Sequence, residues 1–75
     1  MNFYKELYLG WLVLVVKEEF WYFESHKPDG ESYYDPKPFA NEMQALSAAK
    51  YYVQRSIAQK SIQNALFDLQ YKDKN

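Results

Sequence analysis

Seventy-five residues with no cysteine and one histidine make a single small domain that neither a disulfide nor a Cys/His metal set can staple. Nine basic against ten acidic residues leave a net charge of −1, which argues against a dedicated nucleic-acid binder, because phosphate neutralisation supplies most of such affinity. A chain this short buries only about 60% of its unfolded surface, so a sequence that is 20% aromatic must pack well, associate, or both.

In chain order, the first segment is ambiguous. Phe3, Tyr4, Leu7 and Tyr8 have helical spacing, and an extension of the following strand fits them equally. Tyr8 to Val16 (YLGWLVLVV) is the longest apolar run, about half of a membrane span. Lys5 precedes it as in a signal peptide, but Glu6 sits in the flank, no small-x-small cleavage site follows, and Lys17-Glu18-Glu19 comes next. The expectation is a soluble, cytoplasmic protein with no membrane contact.

Leu9 to Val16 has the composition and length of a first strand. Phe20 to His26 (FWYFESH) is a second. Lys27-Pro28-Asp29-Gly30 then carries turn chemistry: Pro28 presets φ, Asp29 suits the next position, and Gly30 tolerates the positive φ of a bulge. Glu31 to Asp35 returns as a short third strand, and Pro36 and Pro38 suit an edge.

Asn41 caps a helix and Gln44 completes the capping-box pattern. Glu42 in the first turn and Lys72 and Lys74 near the end favour the helix dipole. No Gly or Pro interrupts residues 41–75. Read as one element over roughly 42–70, the helix would extend about 43 Å, against a radius of gyration of about 11 Å for a globule of this length. It must break, most plausibly at Gln59-Lys60-Ser61, or its end must project.

Two apolar stripes run along it. Ala45, Leu46, Ala49, Tyr52, Val53, Ser56 and Ile57 form the stripe that would cover one sheet face. On the opposite side, Ala48, Tyr51, Arg55, Ala58, Ile62, Ala65 and Leu69 recur in steps of three and four with Leu66 beside them, a heptad seam with one polar interruption at Arg55. The seam predicts a homodimer or a helical protein partner, and its interface residues are Tyr51, Arg55, Ala58, Ile62, Ala65, Leu66 and Leu69. A partner's Asp68 could meet Arg55 in an antiparallel pairing. The alternative is a broken helix whose Ile62, Leu66 and Leu69 fold back on the same domain.

The first strand is apolar on both faces, and strands of that kind are buried on both sides. One helix covers one side only. The second must be covered by the N-terminal segment, another subunit or a ligand. Aromatic residues on the second and third strands admit a stacking platform for single-stranded nucleic acid, with Lys50, Arg55 and Lys60 as cations. Against it, residues 1–40 carry net −3 while residues 41–75 carry net +2, and the three cations point to different sides of the helix. Glu24 and His26 are two apart on one strand and could pair as an orienter and a base, but no nucleophile motif, phosphate loop or metal spacing accompanies them. No enzyme, cofactor or metal is expected.

Gly10-Trp11, an aromatic strand, Pro28-Asp29-Gly30 and the Ala-rich helix start with Ala45, Ala48, Ala49 and Lys50 look like a group of short cyanobacterial proteins. That resemblance covers roughly residues 8–70 and implies a soluble intracellular protein of regulatory type, with no functional residue carried over. The order of strands and helix is also similar to integrase-arm DNA-binding domains, which read DNA with Arg- and Lys-bearing strands; Glu24, Glu31 and Asp35 stand on the strands here.

The expected fold is α+β: a three-stranded antiparallel meander over residues 9–35, packed on one long C-terminal helix over 41–71. The expected function is a non-enzymatic adaptor or regulator acting through protein contacts.

Overall fold

The computed structural model describes residues 2–73, with side chains as far as Asp68. It is an α+β arrangement of a four-stranded antiparallel sheet and one C-terminal helix. The strands are β1 (Phe3–Tyr8), β2 (Trp11–Lys17), β3 (Trp21–His26) and β4 (Ser32–Tyr34), followed by α1 (Glu42–Asp73). Neighbours in sequence are neighbours in the sheet, in the order β1-β2-β3-β4.

The expected count of three strands is therefore corrected to four. The additional strand is β1, whose residues pair with β2 from Phe3 opposite Val16 to Tyr8 opposite Trp11. Leu9 and Gly10 form the hairpin turn, with φ of 51° and 84°. Positive φ at both central residues gives the tight turn whose twist matches the flanking strands. Gly10 accepts it freely, and Leu9 does not, because a Cβ is crowded there. The β3–β4 hairpin follows the expected chemistry. The Gly30 amide donates to the Lys27 carbonyl (3.0 Å), Gly30 has φ of 96°, and Asp29 Oδ1 accepts from the Glu31 amide (3.0 Å). After β4 the proline segment returns to the sheet, where Trp21 and Phe39 exchange both backbone hydrogen bonds (2.9 and 2.8 Å).

Alternation along the strands decides the two faces. Trp11, Val13 and Val15 of β2, with Phe23 and Ser25 of β3, point at α1 and are buried. From the helix, Ala45, Ala49 and Val53 meet them with no exposed surface. The two alanines let the helix backbone approach the sheet closely, and rings fill the remaining space. Phe23 lies 6.1 Å from Tyr33 and Tyr52 and 6.3 Å from Phe39, while Tyr33 and Tyr52 stack at 4.2 Å. Polar contacts fasten the helix to the β1 edge: Lys50 Nζ lies 3.4 Å from Glu6 Oε1, and Gln54 Nε2 donates to the Tyr8 hydroxyl.

The helix starts where the cap was expected. The Gln44 amide donates to Asn41 Oδ1 (2.9 Å), and Gln44 Oε1 reaches back to the Ala40 amide (3.3 Å). It then runs through Gln59-Lys60-Ser61 without a break, for 32 residues, or about 48 Å. The radius of gyration is 15.8 Å and the molecule measures 57 × 20 × 15 Å, because the second half of α1 projects beyond the sheet. Ile57, expected at the end of the buried stripe, is already 37% exposed. The Lys72 side chain and all of Lys74 lie outside the described residues.

Candidate functional site

Two surfaces stand out for the apolar side chains they expose. The first is the projecting half of α1. Every residue from 57 to 68 is exposed. On the side that continues the buried stripe, the helix turns polar after Val53, through Ser56, Lys60, Gln63 and Asn64. The opposite side carries Ala58, Ile62 and Ala65. Of the predicted interface residues, Tyr51 (58%), Ile62 (60%) and Leu66 (54%) are exposed, as are Arg55, Ala58 and Ala65. Leu69 lies outside the described side chains. The Arg55 guanidinium sits 5.8 Å over the Tyr51 ring, an arrangement that holds the charge flat against the helix surface.

The second surface is the sheet face turned away from α1. Since β1 extends the sheet at its edge instead of folding over it, nothing in the described chain covers this face. Its rows follow from the register: Phe3, Val16 and Tyr22; then Lys5, Leu14, Glu24 and Tyr34; then Leu7, Leu12, His26 and Ser32. Phe3 is 46% exposed, Leu7 73% and Tyr34 64%. These open apolar side chains stand on the two edge strands, β1 and β4. Sequence reasoning predicted an uncovered face on β2 but missed Phe3 and Leu7, because their strand was not recognised.

The structure brings Glu24 and His26 together and adds a third group. Glu24 Oε1 lies 2.9 Å from His26 Nε2, and Ser32 Oγ lies 2.6 Å from His26 Nδ1. The Tyr34 ring stands edge-on to the imidazole at 6.0 Å. Antiparallel pairing causes this: Glu24 faces Tyr34 and His26 faces Ser32 across β3 and β4. Ser32 escaped notice in the sequence because only its place in the register puts it beside the histidine. Chemically the row joins a hydroxyl, an imidazole and a carboxylate in the order used for nucleophile activation, on an open sheet surface.

Of the aromatic side chains, Trp11, Phe23, Tyr33 and Tyr52 are engaged in the core, and Phe3, Tyr22 and Tyr34 stand on the outer face. Of the expected cations, Lys50 is paired with Glu6 and Arg55 lies on Tyr51, while Lys60 borders a separate open cleft of about 820 Å³ between the Lys27–Glu31 turn and α1. Two phenols sit beside carboxylates. Tyr33 donates to Asp35 Oδ2 and Tyr4 to Glu6 Oε1, each at 3.1 Å. These hydrogen bonds favour the protonated phenol, so both pKa values lie above the ordinary 10.0. Among the described residues, no group of three or more His, Cys, Asp or Glu side chains is placed to hold a metal ion, and no helix is long and apolar enough to cross a membrane.

No protein-family model matches the chain, and no curated protein or solved structure matches it.

Proposed function

We propose that this chain is a cytoplasmic, non-enzymatic adaptor or regulatory protein that acts as a homodimer, paired through the projecting half of α1. The observation that carries this reading is the helix from Ile57 to Asp68, exposed throughout yet still carrying an apolar stripe. A helical segment of that length without tertiary packing is marginal in water. A second helix laid along Ala58, Ile62 and Ala65 would supply what the sheet does not.

Antiparallel pairing fits the residues best. It sets Arg55 against Ala65 of the second copy and Ala58 against Ile62, so that a large side chain meets a small one in both layers. It also brings Arg55 near the second copy's Asp68. A parallel pairing would stack Arg55 on Arg55 and leave Ala58 facing Ala58. The test is molar mass by light scattering across concentration, for wild type and Ile62→Glu. The expected result at low micromolar concentration is a dimer that Ile62→Glu converts to a folded monomer. A wild-type monomer at high micromolar concentration refutes the homodimer.

A second reading has one observation behind it, the Glu24, His26 and Ser32 row. In that reading Ser32 attacks an acyl ester, its proton passing to His26 and then to the leaving alcohol. Labelling by a fluorophosphonate probe that Ser32→Ala abolishes supports it. No labelling removes it.

A further inference from the structure

The outer sheet face matches itself. Leu14 lies at the middle of β2 and on the row Lys5, Leu14, Glu24, Tyr34. Lys5 stands one strand to one side of it and Glu24 one strand to the other, each about 4.8 Å away. A two-fold axis along β2 and through the face would exchange β1 and β3. It would place Lys5 over Glu24 of a second copy and Glu24 over that copy's Lys5. The same operation sets Leu14 on Leu14, Val16 on Val16, and Phe3 over Tyr22.

No other occupant is required to balance the charges. Within the rows, Lys5 and Glu24 are the charged residues besides His26, so the face is close to neutral and its two charges are equidistant from the axis. Lys5 is exposed and has no ion pair within the described chain. Glu24 spends Oε1 on His26, which leaves Oε2 available. Like charges meeting across an interface disfavour other pairings, and a second copy rotated about any neighbouring strand would forfeit the Lys5–Glu24 match.

We propose that the outer sheet face binds the outer sheet face of a second copy of this chain, packed as aligned sheets about 10 Å apart and held in register by two reciprocal Lys5–Glu24 pairs. Three strands about 20 Å long overlap in this arrangement. That is a small contact by the standard of stable dimers, so it is a transient one. It uses none of the residues of the α1 seam. A chain with both contacts associates beyond a dimer, because two separate isologous patches link each copy to two others.

The experiment isolates this contact by working in the Ile62→Glu background, where the helix seam is silenced, with sedimentation velocity from about 10 μM to 1 mM. Concentration-dependent dimerisation is expected for Ile62→Glu alone. Adding Lys5→Glu weakens it at least tenfold, and so does adding Glu24→Lys, since each puts like charges face to face twice. Combining Lys5→Glu with Glu24→Lys restores affinity to within threefold. Mixing the two single charge variants in equal amounts restores it as well, because one copy is then acidic at both positions and the other basic. Far-UV circular dichroism checks the fold of each chain. If Glu24→Lys disturbs the fold through His26, the wild-type charges against Lys5→Glu still decide the question.

No self-association of the Ile62→Glu chain at 1 mM overturns the proposal and leaves the helix reading untouched. So does association that Lys5→Glu fails to weaken, or loss that the double exchange and the mixture both fail to repair. Conversely, a wild-type chain that stays dimeric through the sheet while Ile62→Glu has no effect removes the helix seam and keeps the sheet contact.

Discussion

Ser25→Ala should make this protein more stable. Ser25 sits on the helix-facing side of β3, between Val13 and Tyr33 in the register, and is 1% exposed. Its hydroxyl is buried and has no hydrogen-bond partner. A buried polar group left unpaired costs about 1–3 kcal/mol, and deleting it removes that cost. The oxygen also makes a few van der Waals contacts, each worth about 0.1–0.2 kcal/mol, which alanine forfeits. The balance is a gain of about 1–2 kcal/mol. With a urea slope of about 1 kcal/mol per molar for a chain this small, the unfolding midpoint rises by about 1–2 M. The melting temperature rises by about 4–8 °C per kcal/mol. Urea titrations followed by tryptophan fluorescence and far-UV circular dichroism, at one fixed protein concentration, measure it. Ser25→Val extends the test. A half-open pocket of about 70 Å³ bordered by Trp11, Lys27, Glu31, Ser32, Tyr33 and Tyr52 lies beside Ser25, and the added methyl groups have room there. A midpoint that stays put or falls in Ser25→Ala would mean that the hydroxyl is satisfied and that this account of the core is wrong.

Leu9→Asn should stabilise the first hairpin by roughly 0.5–1 kcal/mol, because asparagine tolerates the positive φ that leucine resists; a lowered thermal midpoint would contradict the turn geometry. Asn41→Ala should cost about 1 kcal/mol through loss of the cap to the Gln44 amide, read as a lower urea midpoint. For Tyr33, the hydrogen bond to Asp35 raises the folded-state pKa above 10.0. The unfolded phenol therefore ionises first, and the stabilisation, fully present below pH 10.0, is lost as pH climbs through the higher folded value. Absorbance titration near 295 nm should show late-ionising phenols among the eight tyrosines, fewer in Tyr33→Phe; eight phenols ionising together would refute it.

The sequence patterns that survived folding were those with a local mechanism. The Pro28-Asp29-Gly30 turn, the Asn41 cap and the Ala45, Ala49 and Val53 stripe each depend on neighbours in the chain, and each is found where local chemistry puts it. The first hairpin was illegible because its turn is Leu-Gly inside an apolar run, where asparagine or aspartate before glycine would have announced it. Its strand also hides its alternation. Lys5 and Glu6 place one charge on each face, among Phe3 and Leu7 on one side and Tyr4 and Tyr8 on the other. Ile57 looked buried because helical periodicity extends past the point where the sheet ends, and a period says nothing about the length of the surface it faces. Ser32 beside His26 is a matter of cross-strand register, which one strand's sequence does not contain.

The distance between β4 and Val53 sets a timing problem for synthesis. The strands are complete at Tyr34, but their inner face closes only when Ala45, Ala49 and Val53 have been made. At about 5–20 residues per second, the roughly 19 residues from Tyr34 to Val53 take about 1–4 s. Until the helix docks, a formed sheet presents Trp11, Val13, Val15 and Phe23 on one side and Leu12 and Leu14 on the other. Adjacent-strand topology makes the sheet quick to form, which lengthens the exposure. The chain is most open to aggregation while its strands have paired and its helix has not docked, so changes that speed pairing of the strands, such as an improved first turn, can raise stability and lower soluble yield together.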